Sequence, residues 1–428
     1  MAADVPMAAP IEQRLAAAGL PPLPRAAWLE IDEDALAANL RLIRAMIGPR
    51  VALNAVVKAD AYGHGLVPVG RVFEAAGADR LCVASIDEAR SLRGAGVQLP
   101  ILILFQIPVA EVVRAAQERL EIVAADLATI VATLGEWRAR RPNGVELTVH
   151  LEVETGLARA GIKPEAVAEA ARLIAATKGV RLAGLWSHLA RSEDELATAT
   201  QHAEFESAGH SLGEAGLAAP ARHFAATGGI FGGRAPLYEG VRVGLALYGL
   251  LPVDFPVSER HRQVAESLRP AMALKCRALR VETISAGTPV GYGGLWVAQR
   301  EAHIATLPVG YGDGWSRSSA PNSVALVRGQ RVPLVGSVAM DAVMADVTDV
   351  LGVDLADEFV LIGSQAGARI APNELARSRN TIPWEVVTSM AQRLPRVYHA
   401  GPVLMGLRTL AGEARAEAGR PVMREHVK

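Results

Sequence analysis

VALNAVVKADAYGHG (residues 51–65) joins a short, almost wholly apolar run to a lysine and then to a loop of small residues. Runs of this kind recur seven more times before residue 250, and the last of them is VRVGLALYG (241–249). Apolar runs of about four to eight residues are typical of parallel strands that are covered on both faces. The stretch 51–65 therefore predicts the first strand of a repeated β/α unit.

Helical stretches separate most of these runs. In residues 163–179, Val167, Ala170, Ala171 and Ile174 recur at helical spacing. Eight β/α units within residues 26–264 predict a TIM (β/α)8 barrel, whose catalytic residues lie at the carboxyl ends of the strands. An open, doubly wound sheet is the alternative. A lead helix before the first strand is predicted by Leu36, Leu40, Ile43 and Ile47.

The pattern changes after residue 265, where short strands follow one another and turn residues separate them. Residues 265–412 therefore predict a second, mainly β domain, with one helix near 384–392. We expect a flexible arm over residues 1–25 and a charged, frayed tail over 413–428. The predicted strands of the second domain lie in 273–284, 301–309, 323–329, 330–340 and 358–363.

Composition narrows the function classes. The 428 residues contain 44 basic and 45 acidic side chains, a balance that predicts neither nucleic acid nor an anionic membrane as partner. No apolar run approaches the roughly 18 residues that span a bilayer, and the N-terminal residues lack the pattern of a secretory signal. The two cysteines, Cys82 and Cys276, are far apart, which indicates buried thiols rather than a metal or redox site. We expect a cytoplasmic protein without a bound metal.

Lys58 ends the first predicted strand, directly after apolar residues. A lysine amine among apolar groups loses basicity and becomes nucleophilic in its neutral form, as a covalent link to an aldehyde cofactor requires. A solvated lysine at a strand end is the alternative. The loop that follows, Tyr62-Gly63-His64-Gly65, is unusual for a plain surface turn.

Further candidates lie at later strand ends and in the β domain. Glu152 lies on the fifth strand and Arg159 follows it, where a guanidinium can bind a carboxylate or phosphate through two hydrogen bonds. A surface ion pair is the alternative. Tyr292 and Tyr311 each stand between glycines, which leaves a phenol free in a cleft unless these are ordinary hairpin turns. One further candidate is His188 on the sixth strand. Others lie where strands seven and eight usually form a barrel phosphate site: Thr227, Gly228, Arg242 and Gly244. Ordinary barrel packing and turns are the alternative for these residues. Met340 and Asp341 complete the set, and their surroundings carry no distinguishing signal.

The order of these signals resembles the alanine racemase family, enzymes of fold type III that use pyridoxal 5'-phosphate (PLP). The resemblance runs from AWLEIDEDALAANLRLIR (27–44) to QRLPRVY (392–398), almost the whole chain. Its most specific segments are VVKADAYGHG (56–65), GYGGLWVAQ (291–299), LPVGYGDGW (307–315) and VAMD (338–341).

The resemblance implies a role for each candidate. Lys58 would bind PLP covalently and act as one catalytic base, with Tyr292 as the second. Arg242 would bond the pyridine nitrogen, and Arg159 the phenolic oxygen and the substrate. The other implied cofactor contacts are Tyr62, Thr227, Gly244 and Leu245 at the phosphate and His188 beside the ring. Tyr292 and Met340 would come from the second subunit of a homodimer, and Tyr311 and Asp341 would line the access path.

The implied chemistry is racemisation of alanine, in which one base removes the Cα proton and a second returns a proton from the opposite face. The pKa of a phenol is about 10, so Tyr292 needs a neighbouring group that lowers its pKa. We expect a cation such as His188 to have this effect. Arg242 in place of an acid would leave the pyridine nitrogen unprotonated. Side reactions such as transamination would then be limited.

Three positions depart from the family pattern. The family often has a carbamylated lysine where this chain has Glu152, and we expect the carboxylate to orient Arg159 directly. Thr227 replaces the usual serine and keeps its hydroxyl. Gln392 replaces a tyrosine that narrows the pocket, which puts a strict preference for alanine in doubt.

Three alternatives stay open at this point. A racemase acting on serine, lysine, arginine or several amino acids has the same family features. A PLP decarboxylase of this fold type would need a reactive cysteine or paired acids near the cofactor. A non-catalytic PLP carrier would consist of one barrel without a β domain.

Overall fold

The structure is a computed structural model that describes residues 9–319 and 322–416. The chain forms two compact units. One is continuous and runs over Leu36–Arg269, and the other combines the described residues before Leu36 with those after Arg269. The first helix, α1 (Ile11–Ala17), and the first strand, β1 (Ala27–Asp32), belong to the second, mainly β unit.

Eight parallel strands close into a barrel in the unit Leu36–Arg269, all of which is described. The first strand pairs with the second through Asn54 and Arg80 and with the last through Asn54 and Arg242. Closure excludes the open doubly wound sheet and confirms the predicted TIM barrel. The strands are β2 (Ala52–Val56), β3 (Arg80–Val83), β4 (Ile101–Ile103), β5 (Leu120–Ala124), β6 (Leu147–Glu152), β7 (Val180–Trp186), β8 (Ala221–Ala226) and β9 (Gly240–Val243).

The helices of this unit bury the faces predicted from sequence. Val167, Ala170, Ala171 and Ile174 are buried on the helix after β6, and a capping box between Ser85 and Glu88 begins the helix after β3. The helices are α2 (Glu33–Ile47), α3 (Lys58–Tyr62), α4 (Leu66–Ala76), α5 (Ile86–Gly94), α6 (Val112–Gln117), α7 (Leu127–Arg140), α8 (Val167–Ala175), α9 (Glu195–Glu214), α10 (Thr227–Gly232) and α11 (Arg262–Ser267). Across the part of the chain that the structure describes, no helix has the length and apolar character needed to cross a membrane.

The second unit is mainly β, as predicted. Its large sheet runs in the order β11-β14-β17-β16-β15-β18-β10-β1-β20-β21-β22, and β19 pairs with β18. The strands after β9 are β10 (Met272–Arg277), β11 (Arg280–Ile284), β12 (Pro289–Val290), β13 (Trp296–Val297), β14 (Ala302–Leu307), β15 (Val324–Val327), β16 (Gln330–Val335), β17 (Val343–Asp346), β18 (Glu358–Gln365), β19 (Ala368–Ile370), β20 (Arg396–Ala400), β21 (Val403–Thr409) and β22 (Gly412–Arg415). Two helices, α12 (Pro372–Ser378) and α13 (Pro383–Thr388), precede β20.

The flexible arm predicted for residues 1–25 is wrong over its described part, 9–25, and residues 1–8 lie outside the described residues. Ile11 and Leu15 of α1 are buried, and they form an apolar cluster with Trp28, Val397 and Leu404. Because these partners lie on β1, β20 and β21, the N-terminal segment is part of the β unit.

Two boundaries in the structure also differ from the predicted ones. The barrel unit does not begin at residue 26, because β1 pairs with β10 and β20 and so completes the large sheet. The frayed tail does not begin at residue 413, because Gly412–Arg415 pairs with β21. Residues 417–428 lie outside the described residues.

Candidate active site

Lys58 lies at the carboxyl end of β2, and the backbone that follows it adopts a left-handed conformation. Ala59, Asp60, Ala61 and Tyr62 have φ of 53°, 55°, 54° and 54°. A left-handed turn costs an L-residue roughly 1–2 kcal/mol, so four in succession need support from side chains. The Asp60 carboxylate accepts from the Leu66 backbone N–H at 2.8 Å, which ties the turn to the start of α4.

The same turn is held from a neighbouring helix. The Glu88 carboxylate accepts from the Ala59 backbone N–H at 2.6 Å. Glu88 is also the third helical residue of the capping box that begins α5. The turn is therefore fixed at both ends, and it directs Lys58 and Tyr62 into the same region of the barrel mouth.

The Lys58 amine lies in cationic surroundings. Burial lowers the pKa of Lys58, and the Arg159 and Arg242 guanidinium groups lower it further, against an opposing effect of Glu88. The amine lies 5.9 Å from the centre of the Phe105 ring. A lowered pKa increases the fraction of the amine that is neutral, and this form acts as a nucleophile and as a base.

Tyr62, Thr227 and Gly244 converge at the adjoining strand ends. The Gly244 backbone N–H donates to the Thr227 hydroxyl at 3.3 Å. A Cβ at Gly244 would lie 2.4 Å from the Tyr62 phenol oxygen, so only glycine leaves room for this side chain. The Tyr62 ring stacks on Tyr248 at 4.7 Å, and Leu245 follows Gly244 in a buried turn. These four predicted phosphate residues are thus neighbours at the ends of β2, β8 and β9.

Arg242 is a buried cation on β9. Its Nη1 donates to the His223 Nδ1 at 2.9 Å and to the His223 carbonyl oxygen at 2.6 Å, and its Nη2 donates to the Ser187 carbonyl at 2.6 Å. The guanidinium carbon lies 4.5 Å from the centre of the Trp186 ring. Burial lowers the pKa of Arg242 to about 10, so the group is charged at neutral pH.

His188 is not the cation that the sequence predicted. Burial lowers the pKa of His188 to about 3, with further lowering by Arg242, Arg159 and Lys58. Its Nδ1 accepts from the Arg242 Nη2 at 3.3 Å, which requires that nitrogen to carry no proton. The expectation that His188 helps Tyr292 by its charge is therefore wrong, because burial and the positive charges of its neighbours disfavour a charged imidazole.

Glu152 and Arg159 form the pair that the sequence predicted. The Arg159 Nη2 donates to the Glu152 Oε1 at 3.2 Å, and the carboxylate is buried while the guanidinium is about one-third exposed. Burial raises the pKa of Glu152, and Arg159 opposes this effect. The Phe105 ring lies 5.2 Å from the Arg159 guanidinium and so faces both this group and Lys58.

Tyr292 lies in the β unit, at the tip of the hairpin that β12 and β13 form. Val290 and Ala298 anchor the hairpin in an apolar cluster, and the Ser337 hydroxyl donates to the Tyr292 carbonyl at 2.9 Å. The tip is fixed, yet 74% of Tyr292 is exposed. Its phenol is therefore free to contact another molecule.

Tyr311, Met340 and Asp341 share a second exposed region of this unit. Arg393 connects them, because it pairs with Asp341 at 2.8 Å and donates to the Met340 carbonyl at 3.3 Å. It also pairs at 2.7 Å with Asp313, which is wholly buried and accepts from the Gly310 N–H before Tyr311. Gln392, next to Arg393, is exposed.

The structure brings the barrel candidates together at one end of the barrel, and the β-unit candidates lie in their own unit. Sequence reasoning missed Phe105 and Asp313. Phe105 ends the predicted strand LPILILF, where the carboxyl end of a barrel strand was the available signal. Asp313 lies inside LPVGYGDGW, but the sequence does not reveal its partners.

Comparison with known proteins gives two family models that match this chain. The model described as "Alanine racemase, N-terminal domain" matches residues 31–252, and "Alanine racemase, C-terminal domain" matches residues 271–398. Together they cover most of the chain, and they meet near the boundary between the barrel unit and the β unit.

Similar proteins include alanine racemases and a histidine racemase. An alanine racemase of Desulfosudis oleivorans is 38% identical over 390 residues, which cover 88% of this chain and 97% of that protein. The structure of alanine racemase from Bacillus anthracis with bound L-Ala-P matches with a TM-score of 0.83 and 29% identity, over 91% of this chain and 99% of that one. A histidine racemase from Leuconostoc mesenteroides subsp. sake matches with a TM-score of 0.79 and 27% identity, over 89% of this chain and 99% of that one.

The lowered pKa of His188 predicts a pH dependence of stability. The pKa is about 3 in the folded protein and 6.5 for the ordinary group, so between these values the unfolded chain binds more protons. The free energy of unfolding should therefore fall as pH is lowered from 6.5 toward 3, and His188 should contribute nothing above 6.5. Urea unfolding of the cofactor-free protein across this window should show a shallower dependence in His188→Gln.

An NMR titration of the His188 ring with a midpoint near 6.5 would contradict the prediction directly.

The buried Glu152 carboxylate predicts a second effect. Glu152→Gln keeps the shape and removes the charge that orients Arg159, and a charged hydrogen bond is worth roughly 1.5–3 kcal/mol. PLP or substrate binding should weaken by about tenfold, with little change in thermal unfolding. Titration of cofactor-free protein with PLP, and KM, measure the effect.

Glu146→Gln is the control. Glu146 directly precedes β6, and it forms an exposed ion pair at 2.7 Å with Arg181 of β7. Glu152→Lys should regain function when bicarbonate is supplied, if a carbamylated lysine restores the negative charge. Unchanged PLP and substrate affinities in Glu152→Gln would show that the pair has no part in binding.

Proposed function

The chain belongs to the alanine racemase family, and on that premise we propose that it is a PLP-dependent racemase that interconverts L- and D-alanine. The observation that carries the proposal is the Lys58 amine at the end of the first barrel strand, with its pKa lowered by burial and by Arg159 and Arg242. Such an amine can both bind an aldehyde and accept a proton.

The residues at the barrel mouth fit PLP. The Tyr62 phenol, for which Gly244 leaves room, and the neighbouring Thr227 hydroxyl are polar groups suited to a phosphate. Arg242 supplies a donor for the pyridine nitrogen, and Lys58 a nucleophile for the aldehyde. Arg159, oriented by Glu152, suits the phenolic oxygen or the carboxylate of the substrate.

The proposed chemistry is proton exchange at Cα. Bound PLP withdraws electrons from the amino acid and so makes its Cα proton removable. Lys58 takes or returns a proton on one face, and Tyr292 does so on the other. Arg242 has a pKa of about 10 and holds its protons tightly, so it would donate a hydrogen bond to the pyridine nitrogen without transferring a proton to it as a carboxylic acid would. This arrangement favours racemisation over transamination.

We place Tyr292 in the active site of a second copy of the chain. Its hairpin is anchored and its phenol exposed, as a group that completes a neighbouring site needs to be. Met340 is 53% exposed in the same unit. A homodimer with two shared sites accounts for both exposed side chains, and Tyr311 and Asp341 would line the access path. A cytoplasmic location belongs to the same proposal, which the buried free thiols of Cys82 and Cys276 suit.

A broader substrate range is the second candidate. It is favoured by Gln392, which stands where the family often has a tyrosine that narrows the pocket. A racemisation assay with a panel of L-amino acids, including alanine, serine, lysine, arginine and histidine, distinguishes the two. Alanine turned over far faster than the rest supports the first proposal, and comparable rates support the second.

The two-base mechanism predicts that Tyr292→Phe keeps PLP but loses activity. A general base contributes roughly 10²–10⁴-fold, so losses of this order are expected in kcat. The loss should be greater for one direction of proton abstraction, as measured by the exchange of the Cα proton of L- and D-alanine with deuterium. Lys58→Ala should lose the absorbance of covalently bound PLP and its fixation by borohydride.

Tyr238→Phe is the control for the loss of a phenol. The Tyr238 hydroxyl contacts His202 on α9 at 2.7 Å, far along the chain from the candidate residues of the β unit. It should keep full activity. Equal rates of wild-type protein and Tyr292→Phe in both directions would remove Tyr292 from the mechanism.

Shared sites predict complementation between inactive variants. A hybrid dimer of Lys58→Ala and Tyr292→Phe chains has one site with both bases and one with neither. Random exchange of equal amounts should therefore restore about one quarter of the wild-type activity. Native mass spectrometry verifies the exchange, and no recovery in verified hybrids would count against shared sites.

A further inference from the structure

A continuous line of hydrogen bonds leads from Arg242 across the barrel interior. The Arg242 Nη1 contacts the His223 Nδ1 at 2.9 Å, the His223 Nε2 contacts the His150 Nδ1 at 3.1 Å, and the His150 Nε2 contacts the Glu121 carboxylate at 3.0 Å. Arg80 closes the line with an ion pair to Glu121 at 2.7 Å. All of these residues belong to strands of the barrel.

The line is buried over most of its length. Arg242, His223 and His150 are at most 3% exposed, and Glu121 is 9% exposed. A buried polar group that lacks a partner costs roughly 1–3 kcal/mol, so the barrel would lose stability if any contact were absent. If these positions served only to pack the barrel interior, apolar side chains would fill them without the cost of burying charged and polar groups.

The donors and acceptors in this line can be arranged in one way. A guanidinium has only donors, so the His223 Nδ1 must accept and carry no proton. A neutral His223 therefore carries its proton on Nε2 and donates to the His150 Nδ1. His150 must then carry its proton on Nε2 as well, and it donates to the Glu121 carboxylate.

A protonated His150 would break this arrangement. Its Nδ1–H would face the His223 Nε2, which would become an acceptor and move the His223 proton to Nδ1, against the Arg242 donor. Burial lowers the pKa of both rings, in agreement with neutral imidazoles. Both hydrogen-bond dipoles are consequently aligned toward the carboxylate.

Gly184 makes room for this line. His150 lies on β6 and His223 on β8, with β7 between them, and Gly184 is the β7 residue in register with His150. A Cβ at Gly184 would lie 2.0 Å from the His150 Nδ1 and 2.7 Å from its Cε1. Because this position has no side chain, the two imidazoles can meet across the intervening strand.

Arg242 has no carboxylate in direct contact among the residues that the structure describes. Its hydrogen bonds go to three carbonyl oxygens and to two histidine nitrogens. Glu121 is the negative group at the far end of the line, and the hydrogen-bonded imidazoles connect the two charges. Aligned hydrogen bonds polarise one another, so the carboxylate strengthens the acceptor that His223 presents to Arg242.

We propose that Glu121, His150 and His223 are positioning residues that fix the direction and the donor strength of the Arg242 guanidinium toward the cofactor's pyridine nitrogen. This inference rests on the proposed function, because it takes Arg242 as the partner of that nitrogen. These residues thereby set how strongly the bound cofactor withdraws electrons, although they touch neither cofactor nor substrate.

The first test reads the histidines without turnover. Full-length protein labelled with ¹⁵N-histidine, both free of cofactor and loaded with PLP, gives the tautomer of each ring from two-bond ¹H–¹⁵N correlations. His150→Gln and His223→Gln spectra assign the signals. The expected result is a neutral ring with its proton on Nε2 for both residues at neutral pH. A proton on Nδ1 of either ring, or a charged ring, would overturn the proposal.

The second test compares Glu121→Gln with Glu118→Gln. The glutamine keeps an acceptor for His150 but removes the charge, whereas Glu118 pairs with Arg90 and Arg114 outside the line. Glu121→Gln should lower kcat on the order of tenfold, as outer partners of metal ligands do, with KM within about twofold. It should also shift the visible absorbance band of bound PLP, whereas Glu118→Gln should change neither quantity.

A further variant, at Gly184, disturbs the line of hydrogen bonds at the His150 ring. Gly184→Ala should displace the His150 ring and lower kcat in the same way, whereas Gly213→Ala, in open space on α9, should not. Equal kcat and equal spectra in Glu121→Gln, Gly184→Ala and both controls would overturn the proposal. Wild-type protein that binds PLP but racemises no amino acid would instead overturn the proposed function, because the tautomers and the absorbance shift are read without turnover.

Discussion

The Arg242 guanidinium is buried among barrel strands, and it adds to the effect of burial in disfavouring positive charge on the groups around it. A cation in a site of low polarity disfavours any further positive charge nearby. Its presence contributes to the lowered pKa of Lys58 and of His188. The lowered pKa values of the Lys58 amine and the His188 imidazole are thus partly consequences of one buried cation, which the barrel stabilises with carbonyl oxygens and a histidine acceptor.

The backbone at the barrel mouth is strained where the chemistry is expected. Four consecutive residues after Lys58 adopt positive φ, and side chains from α5 and from the turn itself hold them there. A strained segment held at both ends has few alternative conformations, so the Lys58 amine and the Tyr62 phenol keep their directions. Under the proposed function, this rigidity suits two groups that bind adjacent substituents of one small cofactor.

The two units carry different kinds of candidate residue. The barrel holds charged groups in a buried, hydrogen-bonded setting, and the β unit presents Tyr292 and Met340 to the outside on a well-packed support. The Tyr292 phenol, at an anchored hairpin tip, is open to contact with another molecule. Under the proposed function, this difference is the reason for dimerisation: neither unit supplies both bases of a two-base reaction to one site.

The sequence by itself determined the eight barrel strands, the mainly β second domain, the candidate residues at strand ends and the Glu152–Arg159 pair, because apolar periodicity and short-range spacing are local properties of a chain. Only the tertiary structure decided the rest. The N-terminal segment was predicted as flexible because its burial depends on Val397 and Leu404, which lie far along the chain. His188 was predicted as a cation because its lowered pKa depends on burial in the folded barrel and on the approach of Arg242 from another strand. His150 and His223 come into contact beside Gly184 only when β6, β7 and β8 lie side by side in the folded barrel. The charge and tautomer of a histidine depend on such neighbours and not on its position in the sequence.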